Sequence, residues 1–209
     1  MMNYGAANIS DERVAAMTPI APNGDVTFIV GPEGCRLRVF SLFVMTASPV
    51  LDAMLGPNFK EGHRLTQVDE AEIALPEDNA EALEIIFTVI HGHNDRIPTI
   101  PTPGLLLQIA IAADKYNCFT PLTFAVQVWL ESAYRIIGAD DPVGMWALAM
   151  AALIFGRHTI FAKATSALIM TFNGSYLDLV RKDDGIPGPV TQLKTAGRFF
   201  RARLSFLHC

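Results

Sequence analysis

The sequence predicts an α+β fold: a small sheet built early in the chain, then helices to its end. Three observations carry this. Val26, Phe28 and Val30 alternate with Thr27 and Ile29 in a β-branched run, and Leu37 and Val39 alternate with Arg36 and Arg38, which is the two-residue period of strands with a buried face. From Ser41 onward apolar residues recur at three and four, the helical period. A last short apolar alternation at Ile73 and Leu75 interrupts the helical pattern and supplies a third strand.

In order along the chain, residues 1–24 are mostly small and polar and are punctuated at their end by Pro19, Pro22 and Gly24, which predicts a mobile arm leading into the first strand. Gly31-Pro-Glu-Gly34 is a turn, so the first two strands form a hairpin with Leu37 and Val39 facing the core. Ser48-Pro49 divides the helical stretch from Ser41 to Leu55 into two short helices, because a proline disfavours helix in the residue before it and suits a helix's first turn. Asp78 with Glu81 predicts a capping box for the next helix, which buries Leu83, Ile86, Phe87 and Ile90 and leaves Thr88 on another face. Three prolines between His91 and Gly104 mark a stiff loop.

Leu105 to Tyr116 is apolar nearly all round, which places it at the centre of the helical layer. Leu122, Ala125, Val126, Trp129 and Leu130 give the closing helix of this first unit. Beyond Gly138–Pro142 come two further helices, over Met145–Phe155 and from Phe161 to Phe172, and a last amphipathic one with Phe199, Phe200, Leu204 and Leu207. The predicted organisation is an arm over 1–23, a domain over 24–132 and a helical extension over 133–209.

Composition bounds the function. With 51% hydrophobic and 18% charged residues, the 209-residue chain has the balance of a packed protein. The net charge is −5, of which residues 191–209 contribute +4 through Lys194, Arg198, Arg201 and Arg203, so the remainder carries −9 and repels nucleic acid. The basic C-terminal helix has two readings, docking back onto this acidic body or lying on an anionic membrane or in a partner's groove, and charge attraction favours the first. The longest uncharged apolar run, Val143 to Gly156, is too short to span a bilayer. No basic start and apolar block mark a secretory signal. Three cysteines, Cys35, Cys118 and Cys209, are an odd number without a close pair, which predicts reduced thiols and an intracellular setting, cytoplasmic or nuclear.

Catalytic motifs are missing from the sequence: it has no nucleophile elbow, phosphate loop, zincin helix or dinucleotide fingerprint. The sequence therefore predicts no enzyme, no catalytic residue and no cofactor; the alternative class is a small enzyme with an unrecognised site. His91 and His93, with Cys118 or His63, are conceivable metal ligands, but their spacing fits surface histidines at a helix end better.

The pieces Asp25-Val-Thr-Phe-Ile-Val30, Leu37-Arg-Val39, Ala47-Ser-Pro-Val-Leu-Asp-Ala-Met-Leu55, Asn58-Phe-Lys-Glu-Gly62 and Glu72-Ile-Ala-Leu75, taken in order, resemble the BTB/POZ domain. Leu75-Pro-Glu-Asp-Asn-Ala-Glu-Ala-Leu-Glu-Ile-Ile-Phe-Thr-Val-Ile-His-Gly92 is similar to the form common among fungal members, and the resemblance runs on through Ala113-Asp-Lys-Tyr-Asn-Cys118. It implies a small mixed sheet capped by short helices and a protein–protein interaction module, a self-associating scaffold or adaptor. Phe40-Ser41 stands where many animal members have His-Lys.

The resemblance also implies sites. Phe59, Lys60 and Glu61 match the hydrophobic-x-Glu segment through which BTB adaptors hold a cullin scaffold, so a ubiquitin-ligase substrate adaptor is the alternative function. The plainer reading has Phe59 tucked into its own core and Glu61 solvated. Asp25, Phe40, Leu42, Phe43, Leu51 and Met54 are the candidate homodimer interface, although apolar residues at this spacing are more often core, and core is the reading favoured for most of them. Asp25 is either part of a charged pocket at such an interface or a solvated turn residue.

Overall fold

A computed structural model of the chain describes residues 17–56, 71–138, 140–175 and 179. Its sheet has four strands, β1 (Met17–Pro19), β2 (Val26–Val30), β3 (Cys35–Val39) and β4 (Ala71–Leu75), in the order β1-β3-β2-β4. β2 and β3 are antiparallel, with Phe28 opposite Leu37. β4 lies parallel to β2, with Phe28 opposite Ile73, and β1 parallel to β3. The hairpin turns through Gly31 and Gly34, both at positive φ (72° and 67°), a conformation that costs glycine little and other residues much.

Seven helices are described: α1 (Ser41–Ala47), α2 (Pro49–Leu55), α3 (Ala80–Ile90), α4 (Pro103–Lys115), α5 (Phe119–Ile136), α6 (Pro142–Ile154) and α7 (His158–Thr171). Their starts follow from side chains that accept the first free backbone N–H groups. Ser48 Oγ accepts from Leu51 N–H at 3.0 Å and donates to the Tyr116 carbonyl at 2.5 Å, so one fully buried hydroxyl both starts α2 and ties it to the end of α4. Asn79 caps α3 through Ala82 N–H, and Asp141 caps α6 through Gly144 N–H. Trp129 Nε1–H donates to the Pro98 carbonyl at 3.0 Å and pins the proline-rich loop to α5.

One hydrophobic core runs through the described chain, from Ile20, just after β1, to Leu179, beyond α7. The central strand β2 is covered on both faces, with Val26, Thr27, Phe28 and Val30 fully buried and Phe28 against Phe87 at 5.1 Å between ring centroids. α4 packs between α3 and α6, and α6 in turn carries α7; α5 touches all four of these helices. α6 is buried from Gly144 to Ala152 without interruption. Its alanines at 147, 149, 151 and 152 let neighbouring backbones close around it while Trp146 fills the space between them.

The elements expected between Val26 and Phe172 are present, with five differences. The end of the arm is part of the sheet: β1 pairs with β3, Ile20 and Ala21 are core, and Ala21 N–H donates to the Arg38 carbonyl at 3.0 Å. Asn79, not Asp78, caps α3, because Asp78 is drawn away by Lys115 Nζ (2.7 Å) and the Tyr116 hydroxyl (3.0 Å). On α3, Thr88 is buried and Ile90 only partly so, since helices close on more than one face of it. Leu105, at the start of α4, is likewise only partly buried. α5 continues to Ile136, across the boundary expected at 132/133, and α6 and α7 share one hydrophobic core with the helices before them. Residues 1–16, the Phe59-Lys60-Glu61 segment and the C-terminal helix expected within 191–209 lie outside the described residues.

Candidate functional site

The candidate interface residues divide by burial. Leu51 is core and Met54 is partly buried against it, whereas Phe40, Leu42 and Phe43 are 38%, 68% and 45% exposed. The expectation that most of the set is core therefore fails for the three residues at the start of α1. The reason is local: α1 is seven residues long and buries only Val44, so its first turn has no neighbour to cover it.

The side chains around that turn form a built surface. Asp25, at the foot of β2, accepts from the backbone N–H of Ser41 at 2.7 Å and from its hydroxyl at 2.5 Å. Partly buried, it anchors the N-terminal end of α1, where a carboxylate also complements the helix dipole. Arg38 fixes the other side of this corner by donating from Nε to the Gly24 carbonyl at 2.9 Å.

His91, the residue that closes α3, meets the turn from below. Its Nε2 accepts from the Phe40 backbone N–H at 3.0 Å, and its Nδ1 lies 2.8 Å from the Phe87 carbonyl. An amide N–H can only donate and a carbonyl can only accept, so the ring is neutral with its proton on Nδ1. The imidazole stacks on Phe40 (6.3 Å, 22°) and meets Phe43 edge-on (5.1 Å, 67°), and the two phenyl rings touch each other edge-to-face at 5.7 Å. Burial holds its pKa below the ordinary histidine value, and the nearby His93 adds to this against the opposing Phe87 hydrogen bond.

Beside the aromatic cluster runs an open groove of about 760 Å³ lined by Leu42, Phe43, Thr46, Pro49, Ile90 and Thr120. Val50, on α2, is 39% exposed. A second groove of about 660 Å³ lies between α5 and α7 and is lined by Arg135, Arg157, His158 and Lys163 among others. Both are open surface features.

Of the residues weighed as metal ligands, His63 lies outside the described residues. His91 has both ring nitrogens engaged, and burial pushes the Cys118 thiol up to about 12, so it stays protonated. Among the described residues no group of three or more His, Cys, Asp or Glu side chains gathers in one place, and Cys35 and Cys118 are free thiols. No described helix is long and apolar enough to cross a membrane.

His91 as the keystone of the α1 surface was not legible in the sequence, since nothing in the spacing of residues 40 and 91 ties them. No protein-family model matches the chain, and no curated protein matches it either.

Proposed function

We propose that this chain is a non-enzymatic protein–protein interaction module of BTB/POZ type, a scaffold that associates with a second copy of itself through the start of α1. The observation that carries the reading is the exposed trio Phe40, Leu42 and Phe43, on a turn tied down by Asp25 and His91 and bordered by an open groove. Single exposed apolar residues are ordinary, but three large ones packed together on one turn mark a contact surface.

A second copy is the partner that the chemistry favours. α1 carries no ionisable side chain, so a two-fold contact that sets α1 against α1 brings no like charges together. A charged partner would find nothing on this helix to pair with. The mixed sheet covered by helices and the order of elements from β2 to α5 also support the BTB/POZ resemblance, from which the same surface was expected to pair.

Leu42→Asp tests the reading. Leu42 is two-thirds exposed, so the substitution leaves stability within about 0.5 kcal/mol, while a carboxylate forced into an apolar contact weakens association by tenfold or more. Light scattering over a range of concentrations should show a dimer for the wild type and a monomer for the variant. A wild type that stays monomeric at high micromolar concentration would rule the proposal out.

A further inference from the structure

Resting on the reading that the Phe40–Phe43 surface is the contact face, we propose that His91 is a proton-operated latch on it: the neutral ring holds the aromatic turn in its binding shape, and protonation releases it. The two hydrogen bonds of the ring have opposite polarity and together admit a single state. Nδ1 donates to the Phe87 carbonyl and Nε2 accepts from the Phe40 N–H. An added proton goes to Nε2, where it faces the amide hydrogen of Phe40 at a separation of 3.0 Å between the nitrogens. Two donors cannot share that contact, so the ring or the turn must move.

What moves is the surface itself. Phe40 is the residue from which α1 starts, its carbonyl accepts from the N–H groups of Phe43 and Val44, and both phenyl rings lean on the imidazole. Shifting Phe40 therefore disturbs Phe43 and with it the wall of the groove.

Few charges surround the ring. α1 has none; Arg38 donates to Gly24 and Asp25 accepts from Ser41, so both are engaged; Glu81 and Glu84 lie earlier on α3; and His93, two residues on, disfavours the protonated ring, so it moves the release to lower pH without removing it. The sign follows from the depressed ring pKa. The latch is fully closed above the free-histidine value of about 6.5, is eroded as pH falls below it, and is lost once the packed ring protonates. Between those two values the opening equilibrium rises by up to about tenfold per pH unit, the limit for one proton.

The test is a pH titration of the full chain from 7.5 to 5.0 by ¹H–¹⁵N NMR, with light scattering on the same samples, for wild type, His91→Gln and His93→Gln. The expected result is a ring with its proton on Nδ1 at neutral pH, a Phe40 amide signal that shifts with the His91 midpoint, and association that weakens over the same range. His91→Gln should abolish the pH response and His93→Gln should retain it. A Phe40 signal that ignores the His91 titration, or a response that survives His91→Gln, overturns the latch. A chain that is monomeric at every pH while Phe40 still follows His91 upholds the latch and removes the self-association reading.

Discussion

Trp146→Ala should destabilise the entire chain, sheet and helices together, by about 3–5 kcal/mol. Trp146 is fully buried in α6, in the longest uninterrupted buried stretch of the described chain. α6 packs on α4, which in turn packs on α3, and through Phe87 of α3 the core reaches Phe28 in the central strand. Truncating the indole removes a large apolar area and leaves a cavity that helices fixed on several sides cannot close. Because the core is continuous, urea unfolding followed by far-ultraviolet dichroism and by Trp129 fluorescence should give one coincident transition, shifted to lower urea. Two transitions, with only the later helices lost first, would show that α6 and α7 form an independent unit.

Gly24→Ala should cost about 3 kcal/mol through overpacking at the corner between β1 and β2. A Cβ on Gly24 would sit 2.3 Å from the Val39 carbonyl oxygen and 2.5 Å from its carbon. These are backbone atoms of β3 held in the sheet, so no side chain can swing aside. The forced shift also strains the hydrogen bonds from Arg38 Nε to Gly24 O (2.9 Å) and from Gly24 N–H to Ala21 O (2.9 Å). Gly104→Ala is the matching control. Its Cβ would meet nothing within 4 Å at the start of α4, and a helical glycine replaced by alanine gains up to about 1 kcal/mol. Thermal melts should move in opposite directions for the two variants.

Much of this architecture is readable from the chain because local signals and packing agree. The alternation at Val26–Val30 and at Leu37–Val39, the glycine turn between them and the Ser48-Pro49 break each state a local preference that the fold satisfies. The failures are tertiary. Asp78 has a good local reason to cap α3, but Lys115 and Tyr116, brought from the end of α4, compete for it and Asn79 takes the cap. Met17–Pro19 lacks a strand pattern of its own and is made a strand by the free edge of β3.

The candidate site was legible in part. The identity of its apolar residues could be read, but their exposure could not, because the spacing of Phe40, Leu42 and Phe43 is the same whether a neighbour covers the turn or not. The contact with His91 joins residues 51 positions apart and depends on which ring nitrogen meets which backbone group. No periodicity encodes that.

Hydrogen–deuterium exchange of the wild-type chain at low and high protein concentration tests most directly whether the start of α1 is the self-association surface. α1 is a seven-residue surface helix with only Val44 buried, so its amides should exchange faster in the monomer than those of the sheet and α6. Association through this face predicts that raising the concentration slows exchange in residues 40–47 and around Thr120 at the groove wall, with the sheet and α6 unchanged. Protection that appears elsewhere, or none at concentrations where light scattering finds a dimer, would contradict it.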